Sequence, residues 1–162
     1  MIVALAVSCG GGGMSAGEPA RLQATVARPL FDTLHFAVPA AAHHCAGRKA
    51  LLLEAANEQG NGVLVLLRYG DSLGVGPVPL IALGDSITPR GANVAVRYMK
   101  GDIAHGVSLD SGVVDLTAAG DVLAARVRGS GLETGQRIFV DATYAGVRRP
   151  SPGDTVPCGY AL

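Results

Sequence analysis

The residues of this chain best suited to chemistry fall into a few short groups. Leu80 to Gly91 reads L-I-A-L-G-D-S-I-T-P-R-G, an apolar run that ends in Gly84-Asp85-Ser86. A serine on a tight turn after a buried strand is one way to aim a hydroxyl at an ester carbonyl, with its own amide helping to hold the oxyanion. Asp102 and His105 stand three residues apart, and such a carboxylate can orient an imidazole that acts as base. His43-His44-Cys45 puts three metal-ligand types side by side. Neighbours on an extended chain point opposite ways, and a structural zinc needs four ligands. Only His35 and His105 remain as further histidines, so the trio reads as a loop beside a disulfide, and no metal or other cofactor is expected.

The Gly84-Asp85-Ser86 block resembles the first block of the SGNH, or GDSL, hydrolases, and Asp102-Ile103-Ala104-His105 has the spelling of that family's last block. The resemblance implies Ser86 as nucleophile, His105 as base and Asp102 as its orienting carboxylate. Gly91-Ala92-Asn93 is similar to the block that supplies an oxyanion-hole Asn, with Val94 where an Asp usually follows. Chain order points elsewhere. The block sits mid-chain, T-P-R-G follows Ser86 where a helix should begin, and Gly-Asp-Ser occurs twice, at 70–72 and 84–86. Recurrence after successive apolar segments is what turn chemistry produces. The expectation is therefore a turn capped by Asp85, with no catalytic residue assigned. A small serine esterase using Ser86, Asp102 and His105 stands as the alternative.

The elements that would position these residues begin after an unusual N-terminus. Met1 to Val7 is uninterruptedly apolar; Ser8-Cys9 and four glycines follow. A small residue before a cysteine after an apolar run resembles the lipobox of bacterial lipoproteins. The resemblance implies lipidation at Cys9, residues 1–8 as the remnant of a signal peptide whose true start lies upstream, and 9–20 as a Gly-rich tether. With Cys9 lipidated, Cys45 and Cys158 are left as a pair in an oxidising compartment, and a disulfide between them is expected.

The body, residues 21–162, reads as one β domain. Formal charge is zero, 13 basic against 13 acidic residues, which is not the profile of a nucleic-acid binder. Only 16% of residues are charged and 49% are hydrophobic, with a mean hydropathy of +0.35, which excludes a disordered chain. The 23 glycines and nine prolines argue against a helical bundle. Period-two alternation is clear in Asn93–Met99, Val122–Val127 and Arg137–Val147. Further strands are expected at Leu22–Ala27, Phe31–Val38, Ala50–Ala56, Val63–Tyr69, Val78–Leu83 and Val113–Thr117, the last forming a hairpin with Val122–Val127. Arg48 to Gln59 is rich in helix formers. It reads as a strand because G-N-G and V-L-V-L-L follow in a hairpin rhythm. The fold expected is all-β: a single antiparallel β-sandwich, immunoglobulin-like or related, of about eight to ten short strands. The function expected is a non-enzymatic binding or structural module of the bacterial cell envelope, lipid-anchored on the periplasmic or extracellular side. Its one expected partner is the membrane, through Cys9.

Overall fold

The computed structural model of the protein describes residues 19–158 apart from Ser86. Cys9, the segment before it and Ser86 therefore lie outside the described residues. Eleven strands follow in chain order: β1 (Arg21–Ala27), β2 (Thr33–Cys45), β3 (Ala50–Ala56), β4 (Gly62–Tyr69), β5 (Gly76–Pro79), β6 (Arg90–Lys100), β7 (Ile103–Ser108), β8 (Ser111–Ala119), β9 (Val122–Glu133), β10 (Gln136–Arg148) and β11 (Thr155–Val156). Among the described residues there is no helix.

Alternation selects the inner face. Leu22, Ala24 and Val26 of β1, Val94, Val96 and Tyr98 of β6, and Ile138, Val140, Ala142 and Tyr144 of β10 all point into one core. The Tyr144 hydroxyl crosses that core and donates to the carbonyl of Val63 at 2.7 Å. Burial pushes this hydroxyl well above the usual tyrosine range, so it stays a neutral donor. In β3 the alternation fails for a physical reason. Ala50, Leu51, Leu52 and Leu53 are all buried, because Leu51 and Leu53 enter the main core while Ala50 and Leu52 pack under Cys45 and Cys158 on the other face. A strand covered on both faces reads as a continuous apolar run, which is why helix formers stand here in a strand.

The sheet runs in the order β5-β8-β9-β10-β1-β2-β3-β4-β6-β7, with β11 added in parallel to the end of β2. All other strand pairs are antiparallel. The expected sandwich thus appears as a single curled sheet of eleven strands. The reason is β2: its first half pairs with β1 and its second half, Ala40 to His44, pairs with β3. One thirteen-residue strand carries the hydrogen bonding across the bend, and no break separates two layers.

A curled sheet has two terminal strands, here β5 and β7. β5 is G-P-V-P; Pro77 and Pro79 lack N–H groups and blunt its edge. They also end the strand at Pro79, earlier than the expected Leu83. Leu80 then bridges to Ala92 of β6. The other terminal strand, β7, was not expected from the sequence, since I-A-H-G-V-S carries little alternating signal. Its inner face packs on β9 at Gly131, where a Cβ would come within 2.4 Å of the Ser108 carbonyl and 2.8 Å of Val107. Only glycine allows that approach.

The disulfide joins Cys45 and Cys158, with Cα atoms 5.3 Å apart and 113 positions between them. In the chain-entropy account, closing a loop of that length is worth about 4–5 kcal/mol. It fixes the last described residues against the end of β2, beside β11.

Candidate functional site

The turns lie at two ends of the curled sheet, and the residues singled out above divide between them. At one end are the turns β1–β2, β3–β4, β6–β7 and β9–β10. His105 is here, on β7, directly opposite Tyr98 of β6 and stacked on it with centroids 5.1 Å apart. Its Nδ1 lies 2.5 Å from Oε1 of Glu133. The other oxygen, Oε2, accepts from Nε of Arg28 at 3.3 Å, and Arg28 also reaches Asp32 at 2.8 Å. Glu133 and Arg28 are both buried. Burial works to raise the Glu133 carboxyl, but Tyr98, His105 and Arg28 around it outweigh that and hold it below its ordinary value. The Tyr98 hydroxyl closes no hydrogen bond of good geometry among the described residues, yet it lies close enough to Glu133 to favour the charged carboxylate. Asp102 sits exposed in the turn between β6 and β7. The carboxylate that orients His105 is thus Glu133 and not Asp102.

Glu133 is held in place by its own turn. Thr134 and Gly135 both have positive φ, 46° and 84°, the two-residue geometry that matches hairpin twist. A β-branched residue there is strained. The sequence reading missed Arg28 and Glu133 because 105 positions separate them and neither belongs to a motif. A lone acid at the end of an alternating run, E-T-G-Q, was the available signal.

At the opposite end are the turns β2–β3, β4–β5 and β8–β9, the β5–β6 loop, and the disulfide. The residues flanking Ser86 lie here. Asp85 Oδ1 accepts from the amides of Ile87 and Thr88, both at 2.9 Å, and Oδ2 accepts from the Thr88 hydroxyl at 2.6 Å. This is the Asx-type capping expected of the Gly-Asp-Ser turn. β6 separates this loop from His105: Arg90 to Tyr98 is eight residues, about 26 Å of strand.

The same loop walls a cleft of about 770 Å³. The floor is the outer face of β3, β4 and β6, with Leu66, Arg68 and Asn93; Arg48 and Lys49 of the β2–β3 turn form the facing wall. Three contacts shape the loop. Arg68 donates to the Asp85 carbonyl at 2.6 Å, Asn93 donates to the Ile81 carbonyl at 2.9 Å, and Gly91 leaves room for Ile81, whose Cγ2 would lie 2.5 Å from a Cβ. The electrostatics are one-sided. Three cations line the cleft against the single carboxylate of Asp85, whose oxygens are engaged by its own loop and whose Oδ1 also lies 3.5 Å from Arg68. Lys49 meets Asp71 at 3.4 Å, with both side chains largely in solvent, a pair of little strength. Arg48 makes no ion pair among the described residues.

The outer face of β8, β9 and β10 is different. There Arg126–Asp141, Arg128–Asp115 and Arg137–Asp110 neutralise each other. His43 bonds Asp154 at 2.8 Å and Cys45 is in the disulfide. No group of three or more His, Cys, Asp or Glu among the described residues is placed to hold a metal ion.

The capping has a pH consequence. The Thr88 hydroxyl first, then the Thr88 and Ile87 amides and Arg68, hold the Asp85 carboxyl at about 2, below its ordinary 3.8. A depressed carboxyl stabilises the fold fully above its unfolded value and loses that contribution as pH falls through its folded one. NMR titration of the Asp85 carboxyl should therefore give a midpoint near 2, and Thr88→Ala should move it upward. A wild-type midpoint at the ordinary value contradicts the capping.

Comparison of the chain with protein-family models, with curated proteins and with solved structures found no match.

Proposed function

We propose that this protein is an exported, lipid-anchored binding module of the bacterial cell envelope that takes a small amphiphilic anion in the Arg48–Lys49–Arg68 cleft. The observation that carries this reading is the imbalance of the cleft: three cations against one carboxylate, which its own loop caps and Arg68 alone of the three meets, and apolar lining from Leu66, Leu83, Ile87 and Pro89. A concave site of one sign focuses potential on a counter-ion. Its volume lies in the range of small-molecule sites. Arginine presents a planar donor fork to carboxylate or phosphate, and the apolar lining suits a short hydrocarbon attached to that group. The two halves of the curled sheet, β8-β9-β10-β1 and β3-β4-β6-β7, read as the facing layers of a sandwich joined through β2. The cleft lies on the outer side of the second layer.

The envelope location rests on Ser8-Cys9 and the glycines that follow, with support from the Cys45–Cys158 disulfide, which belongs in an oxidising compartment.

Calorimetry with hexyl phosphate, and with hexanol as the neutral control, tests the cleft. Hexyl phosphate should bind and hexanol should not. Arg68→Ala and Arg48→Glu should each weaken binding by about tenfold or more, the worth of a charge-assisted hydrogen bond. Equal affinity in wild type and both variants, or no binding at all, rejects the site. For the anchor, the protein expressed in a bacterium from its native gene should fractionate with membranes, and Cys9→Ser should release it. A wild-type chain recovered without lipid refutes that part of the reading.

A further inference from the structure

We infer that the cleft end of the molecule docks on an anionic bilayer, with a lipid phosphate in the cleft and Leu83 and Ile87 entering the headgroup region. This rests on the cleft reading above and names its ligand. Ile87 is 89% exposed and Leu83 62%, and both stand on the rim of the cleft beside Arg48 and Lys49. Val75 and Val122 are also exposed at this end. Water gains nothing from such side chains at a loop tip, whereas a bilayer interface takes them up beside cations that meet its phosphates.

Charge is divided along the molecule although the net is zero. In the turns of this end, and within two positions of them, the described cations are Arg48, Lys49, Arg68, Arg90, Arg148 and Arg149. The acids there are Asp71, Asp85, Asp121 and Asp154. At the far end the cations Arg28, Lys100 and Arg137, with Arg97 beside the β3–β4 turn at Gly60, are matched by Asp32, Glu58, Asp102 and Glu133. An anionic surface therefore attracts the cleft end more than the other. The far end also exposes Leu30, Phe31, Ile103 and Leu132. Its Phe31 ring, however, is met by Arg28 at 4.7 Å and Lys100 at 5.4 Å, and its charges balance, which leaves no cationic excess to draw it to an anionic surface.

The path of the chain agrees. β1 starts at Arg21, opposite Ala145, three residues before Arg148 at the cationic end. The twelve residues from Cys9 to Arg21 can span at most about 40 Å. The described chain thus enters β1 from the end that carries the cleft.

Vesicle sedimentation of the full chain, made without lipidation, tests the inference. It should bind phosphatidylglycerol vesicles and not phosphatidylcholine vesicles. Arg48→Glu should weaken that binding by at least about fivefold, the worth of one surface cation. The double variant Leu83→Ser, Ile87→Ser should weaken vesicle binding by about tenfold or more and leave a folded protein, because both side chains lie in solvent. Phosphatidylglycerol binding that the double variant leaves unchanged overturns the docking mode. Hexyl phosphate binding without vesicle binding overturns the inference and leaves the cleft reading standing. Binding to neither overturns both.

Discussion

A sheet that curls around one core has two terminal strands, and the core stays dry only where something meets them. In this protein Glu133 does so on one side. Its two carboxylate oxygens hold His105 of β7 and Arg28 of the β1–β2 turn, so one buried group ties together three hairpins that are remote in sequence. Replacing such a pair by apolar residues is often harmless, but removing one partner strands a buried charge at a cost of about 3–5 kcal/mol. The contact ties β7 to the β1–β2 and β9–β10 turns. Thr134, strained in the turn that aims Glu133, and Gly131, which lets β7 reach β9, serve the same closure. At the other terminal strand Pro77 and Pro79 remove donors, and Leu80 bridges to β6.

This arrangement gives the two ends different characters. At the Glu133 end, the clustered charges are spent on one another: Arg28 on Glu133 and Asp32, Lys100 on Asp32 at 3.3 Å. At the disulfide end the pairing is looser: Lys49 meets Asp71 in solvent at 3.4 Å and Arg68 stands 3.5 Å from Asp85 Oδ1. Asp85 is occupied by its own loop and Arg48 faces the cleft without an acidic partner among the described residues. Three cations against one carboxylate leave the cleft with a positive potential, the basis of the anion binding proposed above. The disulfide and β11 brace this end, so the cleft floor and the β2–β3 wall are held by covalent and ladder contacts, and the β5–β6 loop by Arg68 and Asn93.

Much of this was legible in the residues, and the gaps have physical causes. Strands with one face in the core announced themselves through alternation, β6, β9 and β10 above all. The Leu51–Leu53 run was readable as a strand only through its hairpin context, because burial on both faces erases the period. β7 escaped because its inner residues, His105 and Val107, are separated by Gly106 and flanked by Ala104, a pattern with no apolar contrast. The curl escaped because it depends on β2 changing partners in mid-strand at Ala40, and nothing in P-A-A-A-H-H marks such a change. The capping role of Asp85 was visible in the recurrence of Gly-Asp-Ser, since turn chemistry is local. Glu133 and the cleft were not, since both are assembled from residues brought together only by the sheet.

The two ends differ: one locks the sheet through Glu133, and the other is the end proposed to receive an anion. Chemical-shift mapping in isotope-labelled protein during a hexyl phosphate titration measures this most directly. The amides and side chains that move should belong to Arg48, Lys49, Arg68, Leu83 and Asn93, while Arg28, His105 and Glu133 stay still. Shifts centred on His105 and Glu133, with the Arg68 region unmoved, would contradict it.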